Sequence, residues 1–260
     1  MERARDRMIY NIFNGIKAYA GTLQLISKLR LWKYFGVPML ISILVATSII
    51  LSAYALADNF GLYISNLWVW EWGKDTFFVI SEILSGVLIL VLGFILYKHI
   101  VMALSAPFMS PVSEKIEAHL LGAQRHQHRD TSFSEQLLRG IRINVRNLLL
   151  ELLLTIPIVL ISFIPIVGIA STILLFLVQA YYAGFGNMDY TLERHFKYDE
   201  SIKFVKQHRG LAIGNGIVFM LFLLIPVIGI ILVLPLSVTA ASTETVKLLK
   251  AQNRLKSNDI

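Results

Sequence analysis

Long apolar segments alternate with basic amphipathic segments along this chain. Residues 34–57 carry no charge and residues 76–97 carry only Glu82, so each segment is long enough for one membrane span of about 20 residues. Residues 1–33 are basic, and their apolar side chains recur at helical spacing. This pattern predicts an amphipathic helix that lies in the membrane interface, with packing against another cytoplasmic helix as the alternative.

Two later apolar segments, residues 147–188 and 210–243, each contain a Pro-x-x-Gly step near the middle, at 165–168 and 226–229. Proline removes a backbone donor, and glycine tolerates a sharp reversal of the chain. Each segment is therefore predicted to form a helical hairpin. The approach from Leu211 to Pro226 would be about 22 Å long as a helix, whereas the hydrocarbon core is about 30 Å thick. This length favours hairpins that enter the membrane and return without crossing it.

The remaining segments connect these elements. Residues 58–75 are predicted to form an outward loop whose tryptophans (Trp68, Trp70 and Trp72) mark the headgroup layer. Lys98 and His99 mark the exit of the second span, and a cytoplasmic helical extension continues to residue 121, with a kink at Pro107 and Pro111. Residues 122–131 form a loop, residues 133–146 form a basic amphipathic helix, and residues 244–260 form a cytoplasmic tail.

Composition and charge agree with a membrane location. Hydrophobic residues make up 56% of the 260 positions and charged residues only 16%, whereas soluble domains carry roughly 25% charged residues. The absence of cysteine excludes disulfides, thiolate metal sites and cysteine catalysis. The predicted fold is an all-α integral membrane protein with two transmembrane helices, two hemi-penetrating (re-entrant) helical hairpins and amphipathic cytoplasmic helices, in one membrane domain that covers residues 1–260.

The basic residues indicate the orientation. Of the 24 lysines and arginines, seven precede the first span, one lies in residues 58–75 and seven lie in residues 98–146. Five more lie in residues 187–210 and four in the tail, whereas both Pro-x-x-Gly turns carry none. The positive-inside rule therefore places both termini and both charged connectors in the cytoplasm. The net charge of +7 follows this topology, so we expect no nucleic-acid partner.

No enzyme signature is present: the chain has no glycine-rich phosphate loop, no His-Glu-x-x-His and no Gly-x-Ser-x-Gly. His126, His128 and Asp130 have a spacing that suits a metal, but such a set in a polar loop is usually solvated, so we expect neither a metal nor a cofactor. The acids nearest the apolar phase are Glu82 and Glu151, and intramembrane carboxylates are functional candidates by default. Glu151 has an alternative as an interfacial partner of Arg146, whereas Glu82 has no basic neighbour in sequence and should face protein or water.

Basic residues cluster beside the predicted membrane segments. Lys28, Arg30 and Lys33 precede the first span, and Arg139, Arg142 and Arg146 share one face of a helix at i, i+3 and i+7. They suit two roles. The first is anchoring to anionic lipid headgroups. The second is an anion vestibule, because guanidinium groups and helix N-termini both donate hydrogen bonds to tetrahedral oxyanions.

Several short motifs, in order and at matching spacing, carry a family resemblance over roughly residues 14–248. They are Leu29-Arg30, then Ala106-Pro107-Phe108 with Glu114 and Glu117, Asp189-Tyr190 with Arg194, Phe204, Ile213-Gly214, Ile225-Pro226, Pro235 and Ala240-Ala241-Ser242-Thr243. With these motifs the chain resembles the CysZ-type sulfate permeases and their etoposide-induced-gene relatives. The resemblance implies a bacterial inner-membrane protein with two spans and two hemi-penetrating hairpins, whose protomers form a homo-oligomer that admits sulfate for cysteine synthesis.

The sulfate-binding turn of that family is similar to Gly-Leu-Arg-Arg, and here it reads Lys28-Leu29-Arg30-Leu31. Leu29 and Arg30 match, while the glycine and the second arginine are replaced. The resemblance therefore implies an anion site at Lys28, Leu29 and Arg30. A wider set of pore or network residues is also a candidate, namely Glu82, Arg139, Arg142, Arg146, Glu151, Asp189 and Arg194.

Two functional hypotheses follow. In the first, the protein is a permease or channel for a small inorganic oxyanion, sulfate by resemblance, with the lipid bilayer and further copies of itself as partners. In the second, it is a membrane scaffold or assembly factor that transports nothing and uses its basic face for lipids and partner proteins. A membrane enzyme would be a third class, but the chain offers no catalytic constellation for it.

Overall fold

The computed structural model describes residues 2–66, 72–122, 131–162, 164, 167–225 and 228–252, and every regular element in these ranges is a helix. In chain order the helices are α1 (Glu2–Lys17), α2 (Thr22–Lys28), α3 (Trp32–Ser65), α4 (Lys74–Leu121), α5 (Phe133–Ser162), α6 (Val167–Leu192), α7 (Tyr198–Gln207), α8 (Arg209–Leu223) and α9 (Ile228–Ala251). Trp68, Trp70, Pro165, Pro226 and the end of the tail lie outside the described residues.

Each segment predicted to form a hairpin contains two helices that pack on each other: α5 ends at Ser162 and α6 begins at Val167, and α8 ends at Leu223 and α9 begins at Ile228. Gly229 explains why one of the two Pro-x-x-Gly steps needs glycine. A Cβ at this position would overlap the carbonyl oxygen of Phe222, at the end of the preceding helix. The glycine therefore permits a close approach of two backbones, and its φ angle is not in the left-handed region.

Some boundaries differ from those predicted. Helix α3 continues to Ser65, so the first part of the predicted loop 58–75 is helical. Helix α4 is continuous from Lys74 to Leu121 and contains Pro107 and Pro111, so the predicted second span and its extension form one helix. Residues 2–28 form two helices rather than one, because the chain turns at Gly21, which has a φ of 84°.

Among the described residues, five helices are long and apolar enough to cross a membrane by length and composition: Trp32–Leu56 in α3, Leu92–Leu121 in α4, Phe133–Ser162, Val167–Leu192, and Ile231–Ala251 in α9. Helix α8 is shorter, at 15 residues. The most apolar windows of α3 and α5 are only 11% buried, whereas those of α4 and α9 are 67% buried. Helices α4 and α9 therefore form the interior, and α3 and α5 turn apolar side chains outward.

Helix α8 lies between α1 and α6 at distances that only small residues permit. A Cβ at Gly216 would overlap the carbonyl oxygen of Ala180 on α6, and one at Gly214 would overlap that of Ile12 on α1. Small residues at helix interfaces allow two backbones to approach closely in membranes. Helix α1 thus packs through one face on α8, which belongs to the second predicted hairpin, whereas the alternative interpretation expected another cytoplasmic helix as its partner. The other face of α1 leaves Tyr10 and Phe13 exposed, which suits a membrane interface.

A buried hydrogen-bond network joins the chain between α1 and α2 to the hairpins. The Tyr19 hydroxyl donates to the Asn215 carbonyl oxygen at 2.8 Å, and the Ser237 hydroxyl lies within hydrogen-bond distance of the Tyr19 hydroxyl oxygen, at 2.7 Å. Asn215 in turn donates to the Ser237 carbonyl oxygen, and its side-chain oxygen accepts from Asn187 Nδ2 at 2.9 Å. Tyr19, α6, α8 and α9 are therefore held together by polar contacts as well as by apolar packing.

We expect Gly216→Ala to lower thermal stability in detergent because the added methyl group would force α6 away from α8, at a cost of about 1–3 kcal/mol. Gly36→Ala is the matched control, since Gly36 is also helical and a Cβ there meets no atom within 4 Å. Helix propensity should make that control neutral or stabilising by up to about 1 kcal/mol. Equal melting temperatures for the two variants would contradict the close packing.

Candidate functional site

The turn between α2 and α3 holds the three residues predicted to bind an anion. Helix α2 ends in a Schellman motif, in which the Arg30 N–H donates to the Ser27 carbonyl oxygen at 3.1 Å and the Leu31 N–H donates to that of Ile26 at 2.9 Å. Arg30 has a φ of 53°, the one positive φ at a non-glycine position among the described residues. Glycine is usual at this position of the motif, because the left-handed conformation costs any other L-residue roughly 1–2 kcal/mol. Here an arginine adopts it.

Leu31, which replaces the second arginine of the family's turn, has no exposed surface and belongs to the apolar core with Ile26 and Phe35. An arginine at this backbone position would have to bring its charge into that core. The replaced glycine lies at Lys28, the last residue of α2, where the backbone is helical and does not require glycine. Both departures from the family's turn are thus compatible with the local fold.

A further cation lies beside this turn. Tyr34, in the first turn of α3, has Lys33 Nζ at 5.1 Å and Lys115 Nζ of α4 at 5.6 Å from the centre of its ring. Within the described part of the chain, Lys28, Arg30, Lys33 and Lys115 form no ion pair. At the start of α3 the Tyr34 N–H donates to the Leu31 carbonyl oxygen at 2.9 Å, whereas the N–H groups of Trp32 and Lys33 have no partner within the helix. Basic side chains and backbone donors therefore collect at one place, as an oxyanion site requires.

Glu151, a candidate pore residue, lies in a buried triad with two consecutive residues of α4. Its carboxylate oxygens are 2.6 Å from Lys98 Nζ and 3.0 Å from His99 Nε2. The Lys98 and Glu151 side chains have no exposed surface. The suggested pairing of Glu151 with Arg146 is therefore wrong. Lys98 and His99, which are predicted to mark the exit of the second span, are buried and pair with α5. Helix α5 packs along α4, which brings residues distant in sequence into contact.

Arg194 lies in a second buried group, at the end of α6. Its guanidinium donates to Glu117 Oε2 at 2.9 Å and to Ser113 Oγ at 2.7 Å. His195 Nε2 is 3.0 Å from the same carboxylate, and the Ser110 carbonyl oxygen accepts a further bond from Arg194 at 3.2 Å. Glu117 and Arg194, two positions of the family resemblance, thus contact each other and join α4 to the end of α6.

Arg139 and Asp189 form a third group. The guanidinium binds the carboxylate through two nitrogens, at 3.0 and 2.9 Å, and also donates to the Phe196 carbonyl oxygen and to Ser201 Oγ. Its donors are therefore occupied by protein groups. Beside it lies Glu193, which is buried and whose Oε1 has no hydrogen-bond partner in the described residues. Burial raises the pKa of Glu193 to about 7, against its ordinary value of 4.5.

The other predicted residues lie apart from these groups. Arg142 stacks over the Tyr198 ring at 3.9 Å, and Arg146 donates to Asn147 Oδ1 at 2.9 Å and lies 5.4 Å from the centre of the Phe185 ring. Glu82 is half-buried, and its backbone lies against Gly61 where α4 packs on α3.

His126, His128 and Asp130 lie outside the described residues. Within the described ranges, no group of three histidine, aspartate or glutamate side chains is placed to hold a metal.

Sequence reasoning missed three functional candidates: Lys98 and His99 as partners of Glu151, and Lys115 beside the basic turn. A lysine next to a histidine at the end of an apolar segment resembles an ordinary membrane boundary, so composition indicates nothing unusual. The available signal was Glu151 itself, because a carboxylate in apolar surroundings requires a cation from elsewhere in the chain. Nothing in the sequence near Lys115 relates it to Tyr34.

We expect Glu151→Leu to lower the free energy of unfolding by about 3–5 kcal/mol, because it leaves the Lys98 ammonium buried without a counter-ion. Combining it with Lys98→Met removes both charges and should recover most of the loss. The pair Glu244–Lys247, whose lysine is exposed, is the control, and the same changes there should cost about 1 kcal/mol or less. A double variant at 98 and 151 as unstable as Glu151→Leu alone would contradict this account of the triad.

Glu193 predicts a pH effect. Because its folded-state pKa is raised, the folded protein retains a proton that the unfolded chain releases between pH 4.5 and about 7. Stability is therefore lost as the pH rises through this range. Glu193→Gln keeps the group neutral, so its melting temperature should exceed that of the wild type by several degrees at pH 8.5 and by much less at pH 5. The exposed Asp199→Asn variant is the control, and a pH-independent difference for Glu193→Gln would contradict the prediction.

The basic turn and the second and third buried groups all lie in the part of the chain that matches a known family. The sequence model of the family described as "Sulfate transporter CysZ/Etoposide-induced protein 2.4" matches residues 18–233. These residues contain α2 to α8 and the start of α9. No curated protein matches the chain significantly. With well over half of its length covered by this model, the chain belongs to the sulfate transporter CysZ/etoposide-induced protein 2.4 family of membrane proteins.

Proposed function

We propose that this protein is a membrane permease or channel for a small inorganic oxyanion, with sulfate for cysteine synthesis as the anion. The observation that carries the proposal is the set of cations at the turn between α2 and α3, none of which forms an ion pair in the described residues, although the buried charges of α4, α5 and α6 are paired. Exposed positive charge beside a helix N-terminus attracts a tetrahedral dianion.

In this proposal Arg30 captures the anion with its forked guanidinium donors, and Leu29 and Lys28 complete the turn. Lys33 and Lys115 supply the positive charge that the second arginine supplies in the family's turn. The strained backbone of Arg30 supports a functional role, because left-handed backbone at a non-glycine residue is often retained at sites of function. A glycine here would relieve the strain but would lose the guanidinium.

We also propose that the chain adopts the arrangement implied by the family resemblance, with α3 and α4 as spans and the two helix pairs as re-entrant hairpins. Helix α8, with 15 residues, is about 22 Å long, which is less than the roughly 30 Å of hydrocarbon. In the first hairpin, Glu151 lies only 11 residues before the end of α5, and its charge is neutralised by Lys98 of α4. Both helices of the first hairpin are long enough to cross the hydrocarbon core, so helix length alone does not determine how deep this hairpin lies.

Both termini would lie in the cytoplasm of a bacterium, with the protein in its inner membrane. The outward-facing apolar windows of α3 and α5 would contact lipid and further copies of the chain, in keeping with a homo-oligomeric permease. Transport would be passive or driven by an existing gradient, and the proposal requires neither a cofactor nor an enzymatic step.

A scaffold function is the second candidate, and the exposed apolar side chains Ile9, Tyr10 and Phe13 on the basic helix α1 favour it. Such a surface suits binding to a membrane or to a partner protein. A scaffold would retain its lipid or partner association without any ion flux, which separates it from a permease experimentally.

The test is uptake of radiolabelled sulfate by liposomes that contain the purified protein, compared with empty liposomes. Loss of one charged hydrogen-bonding group costs about 1.5–3 kcal/mol, so Arg30→Ala should raise the half-saturating sulfate concentration about tenfold or more. Arg30→Gly should lose uptake equally but melt at a higher temperature than Arg30→Ala, because glycine accepts the positive φ. Lys115→Gln should weaken uptake to a smaller extent.

Lys250→Ala, an exposed lysine near the end of α9, is the control and should transport normally. Uptake no faster than in empty liposomes would contradict the permease proposal and favour the scaffold. Uptake that is normal in Arg30→Ala would contradict the assignment of the anion site while leaving the permease function intact.

A further inference from the structure

A cavity of about 540 Å³ lies between α6 and α8, with side chains from α1, α5 and α7 at its margins. The α6 side of the cavity is a single stripe of side chains at i, i+3, i+4 and i+7: Leu174, Leu177, Val178 and Tyr181. The α8 side is formed by Arg209 and Ile213, which are also one helical turn apart. The cavity is therefore an elongated groove that follows the axes of two packed helices.

One end of this groove is apolar and open. Leu174 and Leu154 border it and are 49% and 42% exposed. Leu174 lies in the second turn of α6, close to the hairpin tip, and therefore at the end of the groove farthest from the charged connector between α6 and α8. This half of the groove contains aliphatic side chains and no charge, so it suits a hydrocarbon chain and offers nothing to an inorganic ion.

The opposite end is cationic. Lys206 at the end of α7 and Arg209 at the start of α8 border it, together with the aromatic rings of Tyr181 and Tyr182. Both basic side chains are exposed. Neither forms an ion pair in the part of the chain that the structure describes, in contrast to the paired charges of the three buried groups. Two unpaired cations and two phenol hydroxyls suit one phosphate group.

From this arrangement of an apolar end and a cationic end we infer that the groove binds an anionic phospholipid. Its phosphate contacts Lys206 and Arg209, and one acyl chain lies along the α6 stripe toward the hairpin tip. The two ends of the groove match the two parts of a lipid. The charged end lies at the connector between the hairpins, where a headgroup would bind, and the apolar end lies near the tip of the first hairpin, where an acyl chain would end. Basic pockets between membrane helices commonly hold anionic headgroups in this way. The inference does not depend on sulfate transport, since Arg30 and its neighbours belong to another surface.

The experiment measures the melting temperature of the purified, delipidated protein in a neutral detergent, with and without added lipid. A lipid that binds only the folded state stabilises it by mass action. Phosphatidylglycerol at saturating concentration should raise the melting temperature by about 3 °C or more. Phosphatidylcholine with the same acyl chains should raise it by less than half as much, because its headgroup carries no net charge. Glycerol phosphate, which has the charge and no acyl chain, should have little effect.

The variant K206Q/R209Q should lose most of the stabilisation by phosphatidylglycerol. Both substitutions are on exposed side chains, so the protein should remain folded. K203Q/K250Q is the control, because it removes the same net charge from exposed lysines outside the groove and should keep the full effect. Equal stabilisation by phosphatidylcholine, or an undiminished response in K206Q/R209Q, would overturn the inference. An equal response to glycerol phosphate would show a phosphate site without a lipid and would also overturn it.

Discussion

A charge that a membrane protein withdraws from water has to be neutralised by another part of the same chain, and the interior of this protein depends on that constraint. Glu151 meets Lys98 and His99, Glu117 meets Arg194, and Asp189 meets Arg139. Two of these pairs join two helices, and the pair at Arg194 joins α4 to the turn after α6, so pairing the charges also determines how α4, α5 and α6 lie against one another. A buried pair contributes little net stability, but removing one partner is costly. The main effect of these contacts is therefore to favour one arrangement of the helices over others, and they add little to its net stability.

The same constraint separates interior charges from surface charges. The basic residues at the turn between α2 and α3, and those at the charged end of the groove, form no ion pair in the described ranges. An exposed cation without a protein partner is available to an anion from solution or from the membrane. The proposed roles in sulfate capture and in lipid binding both rest on this difference between paired and unpaired charge, at two separate surfaces.

Much of the fold could be predicted from local pattern. Apolar length and the Pro-x-x-Gly steps predict an all-helical membrane protein with two interrupted helix pairs, and the motif order predicts its family, which the family match confirms. The partners of Glu151 could not be predicted, because α4 and α5 meet through tertiary packing that leaves no periodic signal. Arg30 was a candidate from the basic cluster before the first span, and the resemblance singled out its turn as the anion site. Its left-handed backbone and the burial of Leu31 depend on how α2 ends against the core. The depth of the hairpins stays a prediction.

The central claim is that an oxyanion binds at the N-terminus of α3, beside Arg30. Selenate has the shape and charge of sulfate, and its selenium atom can be located by anomalous scattering. A crystal structure of the protein grown with selenate should therefore show a selenium peak within about 4 Å of the Arg30 guanidinium, and Arg30→Ala crystals should lack it. A selenium site elsewhere in the protein with none at this turn, or an unchanged peak in Arg30→Ala, would contradict the claim.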